Sequence, residues 1–113
     1  MDEVYYIDIA EKFSDSPAGR YIDDGDFCGE IFLKDYLLPN IKKYKKLVLD
    51  FTNVLGYGSS FLEEAFGGLV RETGMSKDDF ESRVEIKTAN DPFLLSEIND
   101  YVDEELSRER SKK

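Results

Sequence analysis

Residues 47–70 read LVLDFTNVLGYGSSFLEEAFGGLV, and the fold follows from how this stretch divides. Leu47, Val48, Leu49 and Phe51 form a short apolar run rich in strand formers. Bounded by charges, such a run predicts a strand covered on both faces. Asp50 interrupts it near its end. Residues 53–58 are rich in turn formers, and Gly56 and Gly58 are free to take a positive φ. Ser60 with Glu63 matches a capping box, in which hydroxyl and carboxylate satisfy two backbone donors at a helix start. Leu62, Ala65, Phe66, Leu69 and Val70 then recur at helical spacing and predict one apolar face. Gly67 and Gly68 lie inside this helix, at about 1 kcal/mol each relative to alanine. That cost predicts a second backbone passing close by. Gly74 supplies the stop.

A chain of 113 residues with 41% apolar content builds one domain with a real core. Its 15 basic and 25 acidic residues leave a net charge of −10. An acidic surface argues against binding a phosphate backbone, so no nucleic-acid partner is expected. Cys28 is the sole cysteine, which rules out an internal disulfide and fits a reducing, cytoplasmic setting. The chain has no histidine. Ser-His-Asp and Cys-His catalysis and histidine-based metal sites are therefore excluded, and no metal or cofactor is predicted. The N-terminal MDEVYYIDIA is acidic and too short in apolar length for a signal peptide. No apolar run approaches the ~18 residues of a membrane span, so no membrane role is expected.

Residues 4–9 (VYYIDI) predict the first strand. Residues 11–20 predict a loop or hairpin turn, with residues 20–22 as a possible short second strand. Asp26 is placed to cap a helix running through Leu38, which Pro39 ends or kinks. The lysines of residues 41–46 (IKKYKK) read as solvated surface beside the central strand. Ser76 predicts the cap of a short helix, and residues 84–88 alternate as a half-exposed edge strand. Asn90-Asp91-Pro92 predicts an N-cap and a first turn, followed by an amphipathic stripe of Leu94, Leu95, Ile98, Val102 and Leu106. Residues 1–107 form the domain, and 108–113 form a polar tail that frays. Alternating strands and helices predict an α/β domain with a mostly parallel or mixed central sheet.

Leu49-Asp50-Phe51 followed by Gly58-Ser59-Ser60 resembles STAS domains, the fold of anti-sigma-factor antagonists and of sulfate-transporter tails. Gly19-Arg20, Gly29-Glu30-Ile31-Phe32, Leu38-Pro39, Ser59-Ser60-Phe61 and Glu64-Ala65-Phe66-Gly67 bring the chain closer to a STAS-like family of unknown function. The resemblance covers residues 7–98. It implies a bacterial, cytoplasmic regulator whose partner is an ATPase of histidine-kinase-like fold. It also implies that Ser59, the first serine of the pair, is the phosphorylation candidate. The antagonists have Asp at the position of Gly58 and glycine at that of Phe61.

The candidate interaction surface is Tyr57, Gly58, Ser59, Ser60, Phe61 and Glu64. Ser60 either only caps the helix or also helps hold a phosphate at the positive helix end, with Arg20 as the second anion-binding candidate. Arg20 alternatively pairs with Glu30. Tyr57 either presents a docking ring at the loop tip or folds back on the core. Glu64 lies off the apolar face and is expected exposed. Cys28 is read as a buried structural thiol. Asp50, Glu63 and Glu64 make a weak acid–base case, so no catalytic residue is assigned. The leading reading is a non-enzymatic protein-interaction module. The alternative is a nucleotide or other small-anion domain using the Ser60 helix start.

Overall fold

The structure, a computed structural model, describes residues 2–89 and 91–111. Three runs of β-branched and aromatic residues form the strands β1 (Asp2–Asp8), β2 (Tyr44–Asp50) and β3 (Val84–Lys87). They pair in the order β1-β2-β3, all parallel, with Ile7 beside Leu49 and Leu49 beside Ile86. The connections carry α1 (Ile9–Lys12), α2 (29–43), α3 (59–73) and α4 (Lys77–Arg83), and α5 (Leu94–Ser111) follows β3. This is the expected α/β architecture.

Side chains alternate across each strand. Ile7, Leu47, Leu49 and Val84 are buried against the helices, whereas Val4 and Tyr6 stand about half exposed on the opposite face. The predicted cover on both faces of β2 is therefore not realised. Val48 and Asp50 lie on the open side and remain partly accessible.

α2 begins at Gly29, with Cys28 rather than Asp26 at the cap position. It does not end at Pro39. The segment Leu33–Leu37 is a π-turn, and Leu38–Lys43 resumes as α-helix with Pro39 in its first turn. The wider turn accommodates a residue that lacks an N–H, and Asn40 Nδ2 donates to the Tyr36 carbonyl at 2.7 Å. α3 carries a matching π-turn, Glu63–Gly67. Gly74 closes α3 at φ 71°, its N–H donating to the Val70 carbonyl.

The close approach between helices falls at Gly29. A Cβ there would lie 2.7 Å from the Phe61 carbonyl oxygen and 2.8 Å from Glu64 Cβ. At Gly68 the crowding comes from a side chain, since a Cβ there would meet Leu33 Cδ2 at 2.5 Å, whereas at Gly67 the α5 backbone passes near, with the Tyr101 carbonyl oxygen 3.8 Å from a Cβ. The predicted face of α3 is entirely buried: Leu62, Ala65, Phe66, Leu69 and Val70. Phe13 bridges Phe32 and Phe61, with ring centroids 5.0 and 6.0 Å away.

Residues 20–22 are not a strand. Asp24 Oδ2 accepts the Arg20 and Tyr21 N–H groups, both at 3.0 Å, and turns the chain into the 3-10 segment Ile22–Asp24. On α5, Leu94, Ile98 and Val102 are buried and Leu106 is partly so, but Leu95 lies beside the stripe and is 50% exposed. The helix continues through Ser111. Of the expected Asn90-Asp91-Pro92 helix start, Asn90 lies outside the described residues. Asp91 Oδ1 accepts the Phe93 and Leu94 N–H groups at 2.9 and 3.1 Å. No helix among the described residues is long and apolar enough to cross a membrane.

Candidate functional site

Parallel strands place their C-terminal ends together, where Asp8, Asp50 and Lys87 align. Loop 51–58 crosses this end against residues 15–18. The Leu55 N–H donates to the Asp15 carbonyl at 2.8 Å, and the Gly58 N–H to the Pro17 carbonyl at 3.0 Å. This backbone pairing keeps the loop extended, with Gly58 at φ −87°, and neither Gly56 nor Gly58 takes the anticipated positive φ. Asp50 accepts the Tyr6 hydroxyl and, at 2.9 Å, the Thr52 N–H. Burial opposes its ionisation, but these bonds outweigh burial and lower its pKa.

Tyr57 folds back toward the core. Its ring meets Phe51 edge-on, and its hydroxyl donates to Asp91 Oδ2 at 2.5 Å. Burial, then the Asp91 carboxylate, pushes the phenol pKa up. The Tyr57 hydroxyl, then the Phe93 and Leu94 N–H groups, hold the Asp91 carboxyl below its ordinary range. A cleft of about 250 Å³ lies between these loops, lined by Thr52, Leu55, Tyr57, Thr88 and Asp91 among others. Beside it, Leu55 is 83% and Phe93 74% exposed.

The predicted capping box is absent. α3 starts two residues early, at Ser59, after Gly58, which has no side chain to cap with. Ser59 Oγ instead donates to Glu97 Oε2 on α5 at 3.0 Å, and Tyr101 donates to the same oxygen at 2.8 Å. Glu63 pairs with Arg20, so the anticipated Arg20–Glu30 pair does not form. Glu30 accepts the Ile22 N–H and the Lys34 ammonium, both at 3.0 Å. Ser59 and Ser60 are exposed.

A family model described as a STAS-like domain of unknown function (DUF4325) matches residues 29–93. The chain belongs to that family. The match spans α2 through the residue before α5 and includes the whole of loop 51–58. No curated protein and no solved structure matches.

In this STAS-like domain two members of the expected interaction surface face inward. Phe61 is fully buried in the aromatic core, and Glu64 is 8% exposed, correcting its predicted exposure. Glu64 is drawn in by Arg71, whose Nη2 lies 3.1 Å from Glu64 Oε2 and whose Nη1 lies 3.4 Å from Glu105 Oε1. Burial disfavours the Arg71 charge, but Glu64 and Glu105 outweigh it and raise the pKa. Cys28 is buried, as read from the sequence. No cluster of acidic, cysteine or histidine side chains among the described residues is arranged to hold a metal ion.

The features that distinguish this end, Leu55, Phe93, Asp91 and Glu97, were not among the candidates. The signal for the first two was present in the chain. Each is a large apolar residue in a turn-rich segment, outside any helix or strand period.

Proposed function

We propose that this STAS-like domain is a non-enzymatic regulatory module that docks another protein through loop 51–58, residues 91–93 and the exposed start of α3. The exposure of Leu55 and Phe93 carries the reading. Two large apolar side chains beside a polar cleft suit a protein interface, where apolar anchors sit within a polar rim. In keeping with the resemblance, the partner is a cytoplasmic ATPase of histidine-kinase-like fold, and Ser59 is the phosphorylated switch. The exposed Ser59 hydroxyl supports that assignment. A phosphate there would add about −1.5 to −2 charge beside Glu97 and break the bond to α5. The test is whether a partner captured from native cells on the wild-type domain is lost from an L55D/F93D bait, with intact-mass analysis for a phosphate on Ser59.

A second reading is an anion site at the same helix start. The absence of a side-chain cap on α3, with Ser60 exposed, supports it, and an anion there would have to draw Arg20 away from Glu63. A nucleotide well above its Kd would stabilise the fold by ~2–3 kcal/mol in a thermal-shift assay. No shift at millimolar nucleotide would remove this reading.

A further inference from the structure

The three-stranded sheet has two free edges, and their chemistry differs. β1 reads DEVYYID and carries no cation, so a second β1 laid against it would meet only like charge. β3 reads VEIK, alternating an acid and a base. We propose that β3 pairs antiparallel with β3 of a second copy of this chain, about a two-fold axis through Ile86, joining the two sheets into one.

The backbone is set for this pairing. The Phe51 N–H donates to the Lys87 carbonyl at 2.7 Å, so the peptide groups of Lys87 face β2. Peptide directions alternate along a strand, so those of Ile86 point out of the sheet. Placed opposite its own copy, Ile86 exchanges two hydrogen bonds with it. The same register puts Glu85 opposite Lys87 of the copy, and Lys87 opposite its Glu85. These are non-hydrogen-bonded positions, where Cα atoms approach to about 4.5 Å and side chains interact most closely. Both charges lie on the open face of the sheet, where Glu85 already holds Lys46 at 2.9 Å. On the helix side, a groove of about 330 Å³ runs beside the strand, lined by Phe80, Val84, Ile86 and Leu95 among others. Leu95 is half exposed there, and the copy would cover it. The arrangement is self-complementary and closes at two copies, as a two-fold interface requires.

Light scattering on the eluting protein, from micromolar to near-millimolar concentration, tests the pairing. The wild type is expected to reach twice the 13.0 kDa chain mass. K87E and E85K are each expected to run as monomers, because each places like charges opposite one another. An equimolar mixture of the two restores opposite charges and is expected to recover the doubled mass. Far-UV circular dichroism checks that each variant folds. The wild type alone offers a second readout: the Ile86 amide should exchange more slowly with deuterium as concentration rises. A wild type that stays monomeric, charge variants that both dimerise alone, or an Ile86 amide indifferent to concentration would each overturn the pairing.

Discussion

Ser59 Oγ donates to Glu97 Oε2 at 3.0 Å and so ties the first residue of α3 to the first turn of α5. The bond joins a neutral hydroxyl to a carboxylate that also holds Tyr101. Removing it in S59A should cost about 1 kcal/mol or less, as for an exposed hydrogen bond. S59D sets two carboxylates against each other and should cost more. Adding E97Q to S59D should recover most of the difference. Urea unfolding of the four proteins measures the coupling. Equal stabilities of S59A and S59D would show that charge at this position is not sensed by α5.

The Arg71 guanidinium serves two carboxylates that the fold has largely removed from water, Glu64 and Glu105. R71M leaves both without their shared cation. Arg71 is itself about a third exposed and Glu105 keeps Arg108 at 3.5 Å, so the loss falls chiefly on Glu64 and is expected at about 1–2 kcal/mol. R71K, which keeps the charge but not the fork, should fall between. Chemical unfolding midpoints check the order.

Gly29 lies where the α2 and α3 backbones come closest. G29A drives a methyl into the Phe61 carbonyl and should destabilise by about 1–3 kcal/mol through overpacking. G56A meets open space and should lie within about 0.5 kcal/mol of the wild type. Thermal unfolding of both separates crowding from backbone entropy.

Tyr57 and Asp91 give the stability profile two limbs. The Asp91 carboxyl is held below its ordinary value of 3.8, first by the Tyr57 hydroxyl. Its stabilisation is whole above that value and is lost as pH falls through the lower folded pKa. The Tyr57 phenol is raised above 10.0, so its contribution is whole below that value and is lost as pH rises toward the folded pKa. D91N should flatten the acid limb below pH 3.8, and Y57F the alkaline limb above pH 10.0. Unfolding midpoints across pH record both.

What was legible in the chain was local. The boundary between β2 and α3, the five-residue buried face of α3, the Gly74 stop and the Ser76 cap all depend on neighbours within a few positions. Ser76 Oγ does accept the Asp79 N–H at 3.1 Å. What was not legible depends on distant partners. Tyr57 turns inward because Asp91 lies 34 positions on. Glu63 leaves Ser60 because loop residue Arg20 reaches it. Glu64 is buried because Arg71 and, through it, Glu105 hold it. Leu55 and Phe93 stand exposed because nothing among the described residues packs over them, which no periodicity announces.

The proposed docking face is the end of the fold carrying Leu55, Phe93 and Ser59. Capture from native cells on wild-type bait, beside capture on folded L55D/F93D bait, tests it most directly. A docking face at this end should give a partner held by the first and absent from the second. Identical recovery on both baits, or no partner on either, would contradict it.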